Sequence, residues 1–276
     1  MAIDENQAFV YLNDNGFQNF EAISGTWQRR NAGRQILMKI TPASQTKTDL
    51  RELYQMNFRP RAWIDASDPG YICITLIERS IALLAPNLEG ELIDVGSGQQ
   101  PYAGYFAHVK RKWSCDYDAQ RGNVDFECPA DAVPMPDSSL DSVLCTEVLE
   151  HVPDPLAVWR EFNRLLRPGG KVLLATPMYW PGHEEPYDFY RYPEFGLRRL
   201  VQESGFELVR IIPRGGVWAF FGQVVMHVFP PLLPFRWQRR MLNKTFLRLD
   251  QRSCNPRLTL GWTVLARKIS DSRQMA

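Results

Sequence analysis

From residue 91 onward, short apolar runs alternate with segments of helical period, and this alternation restricts the fold more than any other feature. The runs are ELIDV (91–95), WSC (113–115), VDFE (124–127), SVLCT (142–146), KVLLATP (171–177), FELVRIIP (206–213) and LTLGWTVLAR (258–267). Among them, PLAVWREFNRLL (155–166) and PEFGLRRLVQESG (193–205) repeat apolar residues at helical spacing, and YICITLIERSIALL (71–84) stands ahead of them as an amphipathic helix. A strand covered by helices on both faces has no polar face to show, so it reads as an unbroken apolar run. Strands alternating with helices therefore predict an α/β architecture, a parallel sheet wrapped on both sides. Residues 1–57 lack the alternation. They are polar and mixed, broken at Gly16, Gly25 and Gly33, with helical spacing at Gln7–Tyr11 and Thr48–Met56. They predict a mostly helical extension over residues 1–70, ahead of one domain over 71–276.

The first run ends in LIDVGSGQQPY (92–102), a strand feeding a loop with Gly96 and Gly98, and a helix is expected to start near Tyr102. Glycines after a strand let the backbone turn sharply and approach a ligand closely. The G-x-G pattern also opens dinucleotide sites, but Gln100 stands where a third glycine would be. The second strand ends in Asp116, followed by Tyr117 and Asp118, and a carboxylate at that point can accept hydrogen bonds from ribose hydroxyls.

The stretch PADAVPMPDSSLDSVLCTEVLEHVPDPLAVWREFNRLLRPGGKVLLATP (129–177) closely resembles the central part of class I S-adenosylmethionine-dependent methyltransferases. The matching pieces are V-P-M-P-D before the fourth strand, LDSVLCTEVLEHV across it, D-P at the next helix and LLRPGGKVLLATP into the fifth strand; the likeness covers roughly residues 90–210. It implies a Rossmann-like sheet of seven strands, mostly parallel with an antiparallel last strand, and S-adenosylmethionine as cofactor. It further implies that Gly96, Ser97 and Gly98 face the methionine part of the donor. Asp94 would brace that loop and reach the donor's amino group, Asp116 would bind the ribose, and Glu147 would lie beside the donor. Where the family often carries an acidic residue near the adenine, this chain has Pro129, with Ala130 and Asp131 beside it. The place after the fourth strand reads TEVLEH and lacks the N/D-P-P-Y/F signature of base amino-group methylation, so no nucleic-acid partner is expected.

Methyl transfer from a sulfonium is mainly a matter of position, plus a base when the acceptor is a hydroxyl or a protonated amine. Two segments offer that base. Glu147 and His151 stand at i and i+4 and share a face if their segment is helical. The loop PGHEEPYDFYRY (181–192) follows the fifth strand and holds His183, Asp188 and Arg191. Three readings of it stay open: a metal site using His183 with Glu184, Glu185 or Asp188, although the spacing matches no familiar ligand motif; an acid–base role for His183; or a structural loop pinned by an Asp188–Arg191 pair. No metal is expected. The acceptor is read as a small or lipid-linked molecule, methylated on oxygen or nitrogen; the alternative is a regulatory or assembly protein that binds S-adenosylmethionine without turnover.

Residues 215–256, between the sixth and seventh strands, are expected to be an insertion on the substrate side or at a membrane interface. Within it VWAFFGQVVMHVFPPLLPFRWQRR (217–240) is apolar, interrupted by His227, Pro230, Pro231 and Pro234, and ends in Arg236, Trp237, Arg239 and Arg240. It is too short and broken to span a bilayer, yet suits peripheral membrane contact, a lid or a subunit contact. Charge is uneven along the chain. Residues 209–276 hold 12 Lys/Arg against 2 Asp/Glu, leaving 20 against 29 before them, so a basic end sits on an acidic body. Five cysteines with no C-x-x-C pair argue against a disulfide framework, and no signal-peptide pattern opens the chain; both favour a cytoplasmic location.

Overall fold

The computed structural model describes residues 10–13, 16–23, 26–29, 38–39, 43–58 and 64–269. The chain divides into two compact units, Met1–Thr46 and Lys47–Ala276. In the first, strands β1 (Val10–Asn13), β2 (Gly16–Ile23), β3 (Thr26–Arg29) and β4 (Met38–Lys39) form an antiparallel sheet in sequence order. The helix expected at Gln7–Tyr11 is therefore corrected: Val10 and Tyr11 belong to a strand, and Gln7 lies outside the described residues. Val10, Tyr11, Phe17, Phe20, Ile23, Thr26 and Trp27 are strand-favouring residue types, and Asp14-Asn15 and Ser24-Gly25 are turn-forming pairs. Those signals outweigh five residues of helical spacing. The helix expected at Thr48–Met56 is present as α1 (Ala43–Gln55).

The second unit carries the predicted α/β architecture. Its sheet uses β5 (Glu91–Val95), β6 (Arg111–Asp116), β7 (Phe126–Glu127), β8 (Leu140–Thr146), β9 (Leu166–Pro177), β10 (Phe206–Pro213) and β11 (Gly261–Lys268). The spatial order is β10-β11-β9-β8-β5-β6-β7. Neighbours from β9 to β7 run parallel, whereas β11 lies antiparallel between β9 and β10. All seven apolar runs of the sequence are strands of this sheet.

Successive side chains of a strand point to opposite faces. Ile93, Val95, Val143, Cys145, Val172, Leu174, Val264 and Ala266 meet α3 (Pro155–Leu165) and α4 (Glu194–Glu203) in one core, where Trp159, Phe162, Leu197 and Val201 are buried. The residues between them, Leu92, Leu144, Leu173 and Leu265, face a second core with α2 (Tyr71–Leu84) and Leu50 and Leu53 of α1. Both faces are covered, which is why the central strands read as nearly continuous apolar runs. Asp154 caps α3 by accepting hydrogen bonds from the Leu156 and Ala157 N–H groups, with Pro155 at the first helical position.

At the amino end of the sheet the L-D-S and R-P-G-G pieces meet. Asp141 accepts from the Glu91 N–H at 2.8 Å and pairs with Arg167 at 2.8 Å. Those parts of the motif hold the strand entries together, at the end away from the carboxyl edge. Between β10 and β11 the expected insertion is a helical hairpin, α5 (Val217–Val228) and α6 (Arg236–Ser253). Among the described residues, no helix is long and apolar enough to cross a membrane.

Candidate active site

The site is built at the carboxyl edge of β5, β6, β8 and β9, from the loops that leave each strand. After β5 the chain turns at Gly96 (φ 67°), and the N–H groups of Gly96 and Ser97 both donate to the Cys115 carbonyl of β6, at 2.8 and 3.0 Å. A Cβ on Gly96 would lie 2.1 Å from Val148 Cγ2, so only glycine fits. Gly98 (φ 46°) donates its N–H to Asp116 Oδ2 at 2.9 Å, and a Cβ there would meet nothing within 4 Å: the backbone borders open space. Gln100, at the third-glycine position, adopts the left-handed conformation itself (φ 54°). The helix expected from Tyr102 is shorter than predicted. A 3-10 turn, Ala103–Phe106, stands there, and burial of Tyr102 and Phe106 replaces helical propagation.

Two polar atoms of this loop are buried with no hydrogen-bond partner among the described residues: Asp94 Oδ1 and Ser97 Oγ. Orphaned buried groups are uncommon and mark a ligand or a water. Burial, and next the Asp116 carboxylate, raise the Asp94 pKa to about 7, with Lys112 opposing. Asp116 is buried and anchors both Gly98 and the Asp118 N–H. Ala130 is half-buried against the core beneath, and Asp131 is exposed beside it.

After β8 the condition for a shared face, a helical segment, is not met. Glu147 takes φ 53°, and only the 3-10 turn Leu149–His151 follows. Glu147 and His151 thus share no helix face. The Glu147 side chain instead meets Arg214, which follows β10 and is completely buried. Its Nη1 donates to Glu147 Oε1 at 2.6 Å and its Nη2 to the Thr176 carbonyl at 2.5 Å. Burial opposes the Arg214 charge, but Glu147, Cys73 and Glu150 together hold the pKa above the ordinary arginine value. Glu150 is also buried, with Oε1 unpartnered among the described residues. Burial and the nearby Glu147 push its pKa well above the ordinary glutamate range.

The loop 181–192 lies on this segment. Phe189 and Tyr190 donate their N–H groups to the Glu150 carbonyl, the Tyr190 hydroxyl donates to the Pro153 carbonyl, and the Tyr192 hydroxyl to that of Leu149. Arg191 forks onto Asp188 at 2.6 and 2.9 Å and bonds the Trp180 and Pro181 carbonyls. These hydrogen bonds to Arg191 hold the Asp188 carboxyl well below the ordinary range. Asp188 Oδ2 accepts the His183 N–H at 3.1 Å and lies 3.6 Å from His183 Nδ1. His183 Nδ1 is 3.2 Å from the Pro181 carbonyl, and His151 Nδ1 is 2.8 Å from that of Tyr187. A carbonyl only accepts, so each neutral ring carries its proton on Nδ1 and leaves Nε2 as a base. The two rings meet edge to face at 4.6 Å.

Glu150, His151 and His183 each bring one candidate metal-ligand atom within 4.8 Å of the others. This grouping differs from the one weighed in sequence, which joined His183 to Glu184, Glu185 or Asp188.

The family described as a methyltransferase domain matches residues 93–174, from β5 into β9. A probable S-adenosylmethionine-dependent methyltransferase of Mycolicibacterium smegmatis is 32% identical over 108 residues, 37% of this chain and 39% of that protein. Over this span the chain is similar to S-adenosylmethionine-dependent methyltransferases. A ubiquinone biosynthesis O-methyltransferase of Xanthomonas oryzae pv. oryzae is 60% identical over 38 residues, 14% of this chain and 16% of that protein. An uncharacterized methyltransferase of a Mycobacterium species is 28% identical over 168 residues, 53% of this chain and 66% of that protein. The chain thus spans about two fifths of the first of these relatives and less than a fifth of the second.

S-adenosylmethionine is the cofactor of this methyltransferase family, and the carboxyl-edge loops fit it. Asp94 Oδ1 and Ser97 Oγ await polar partners, and Gly98 leaves backbone open beside them. Arg214 and Glu150 are the residues sequence reasoning missed. A signal existed for Arg214, a charged residue between the apolar FELVRIIP and Gly215-Gly216. Glu150 was overshadowed by Glu147 and His151, which stand four apart.

Proposed function

We propose that this chain transfers a methyl group from S-adenosylmethionine to an oxygen or nitrogen of a small or lipid-linked acceptor. The observation that carries the reading is the pair of orphaned buried atoms, Asp94 Oδ1 and Ser97 Oγ, beside the open face of Gly98. When bound, S-adenosylmethionine supplies an electrophilic methyl carbon on a sulfonium. Asp94, Gly96, Ser97 and Gly98 would hold its methionine part, Asp116 its ribose, and Ala130 or Asp131 the adenine side, with Glu147 kept in place by Arg214. His183 is the candidate base. Its Nδ1 is occupied on the Pro181 and Asp188 side, and Nε2 is left to take a proton from the acceptor. Asp188, fixed by Arg191, stabilises the imidazolium that results. His151 packs on the His183 ring and orients it. The partial match to an O-methyltransferase of ubiquinone biosynthesis supports a small-molecule acceptor.

Calorimetric titration with S-adenosylmethionine, followed by transfer of labelled methyl to small-molecule and lipid extract fractions, tests the proposal. Saturable binding and a labelled product are expected. Absence of binding would remove the reading; binding with no product from any fraction would favour a regulatory, non-catalytic role.

A further inference from the structure

The hairpin α5–α6 carries a surface that the methyl-transfer site does not use. Of the sixteen exposed large apolar side chains among the described residues, eight fall in residues 218–241. Leu232 is 71% exposed, Trp237 61% and Phe235 58%, joined by Phe229 and Met241. Loose packing is not the cause. The inner face of α5 is buried through Ala219, Gly222, Gln223 and Met226. A Cβ on Gly222 would lie 2.7 Å from both Ile72 and Phe246. Asp250 of α6 accepts from the Gly216, Trp218 and Ala219 N–H groups and from the Tyr54 hydroxyl. Asn243 of α6 bonds the Ala66 and Asp68 carbonyls. The hairpin is fixed, and it presents these side chains outward.

The exposed face of α6 orders its chemistry along the helix. Trp237, Met241, Lys244, Arg248 and Arg252 follow at spacings of four, three, four and four, so they form one stripe, apolar at its start and cationic beyond. Lys244, Arg248 and Arg252 have no ion-pair partner among the described residues. Residues 217–257 hold seven Lys/Arg and one acid, Asp250, which is buried; the surface charge of the hairpin is therefore positive only.

We infer that this hairpin docks on an anionic phospholipid surface. Phe229, Leu232, Phe235, Trp237 and Met241 enter the headgroup–acyl boundary, and Lys244, Arg248 and Arg252 meet lipid phosphates. An aromatic and aliphatic tip bordered by tryptophan and backed by a cationic stripe matches the depth profile of a bilayer interface. The charge complements anionic lipid, and the helices are too short in apolar length to go deeper. The docking stands independently of the reaction. Its consequence rests on the methyl-transfer reading: α5 stacks Phe220 on Tyr179 at 4.9 Å and His227 on Trp180 at 4.6 Å, and Trp180 leads directly into the loop of His183. The docked hairpin would thereby adjoin the loop that carries His183.

The test is flotation of the full chain with vesicles of about 30% phosphatidylglycerol in phosphatidylcholine, against phosphatidylcholine alone. The protein should float with the anionic vesicles and should be released by salt. Lys244→Gln, Arg248→Gln and Arg252→Gln should each weaken binding about fivefold, and Leu232→Ser with Phe235→Ser should abolish it. All variants should keep the affinity of the parent protein for S-adenosylmethionine, which shows that they fold. Equal flotation on both vesicle types, or flotation unaffected by these substitutions, would overturn the inference. A concentration-dependent dimer without vesicle binding, lost in the Leu232→Ser/Phe235→Ser protein, would assign the surface to a second copy instead.

Discussion

Asp94 should make cofactor affinity depend on pH in a defined direction. A carboxyl group pairs with an ammonium only when ionised. In the free protein burial disfavours that form, and Asp116 adds repulsion, so Asp94 titrates at about 7. An ammonium beside it stabilises the carboxylate and lowers the pKa, so binding below pH 7 expels the Asp94 proton. Affinity must therefore rise with pH until Asp94 is ionised in the free protein. With a pKa of about 7, the ionised fraction grows roughly fifteenfold between about pH 5.5 and 7.0, and the association constant should follow it. Isothermal titration calorimetry with S-adenosylmethionine over that window, in two buffers of different ionisation enthalpy, reads both the slope and the proton released. The Asp94→Asn protein should bind more weakly and lose this part of the slope. A flat profile, or an unchanged slope in Asp94→Asn, would refute the pairing. Without cofactor the same shift bears on stability in the opposite sense. Folding raises this pKa, so its contribution is complete below about pH 4 and is lost as pH climbs from about 4 to about 7.

Gly96→Ala should destabilise through both the left-handed backbone and the overlap with Val148; adding Val148→Ala should recover the overlap part, leaving about 1–2 kcal/mol in denaturant unfolding, and no recovery would refute the packing argument. Arg214→Met leaves the Thr176 carbonyl and Glu147 without their partner, and should cost about 3 kcal/mol, a fall of roughly 6–12 °C in Tm by calorimetry. His183→Ala should lower kcat at least about 100-fold while the Kd for S-adenosylmethionine stays within about twofold, and unchanged turnover would remove His183 as the base.

The sheet was legible because burial on both faces writes itself into composition: Leu92-Ile93 and Val143-Leu144-Cys145 are apolar at every position because two different cores claim alternate residues. The loop after β5 was legible for a related reason, since Gly96 and Gly98 leave marks that other residues cannot. Local spacing misled in three places. Glu147 and His151 stand at helical spacing, but Glu147 takes a left-handed backbone and pairs with a buried arginine 67 positions later. Tyr102 was expected to begin a helix, yet its burial sets the chain into a short turn. The N-terminal strands contradict a helical period five residues long, too short to compete with strand-favouring residues on both sides. In the loop 181–192, sequence offered metal, base or anchor. The structure brings together Asp188, Arg191 and His183 as one connected group, and joins His183 to His151 and Glu150, a proximity across 32 residues that no local pattern encodes.

Positive φ at non-glycine residues is commoner at the carboxyl edge of the sheet than at its amino end. Five described non-glycine residues take positive φ, and three of them leave strands at the carboxyl edge: Gln100 after β5, Glu147 after β8 and Glu184 after β9. At the amino end, left-handed backbone occurs at Gly90 and Gly169 and at Ser138, just before β8. Where the turn alone matters, glycine takes the conformation at little cost; a side chain there costs about 1 kcal/mol or more. That cost is tolerated at the carboxyl edge because the side chains are needed. Glu147 offers its carboxylate to Arg214, and Gln100 reaches the Asn123 carbonyl at 3.0 Å. Their rigid supports, β6 beneath the first loop and the buried Arg214 beneath the second, remove the freedom to relax. A reaction governed by alignment rather than by aggressive acid–base chemistry asks for that property, a wall that does not move when the acceptor arrives.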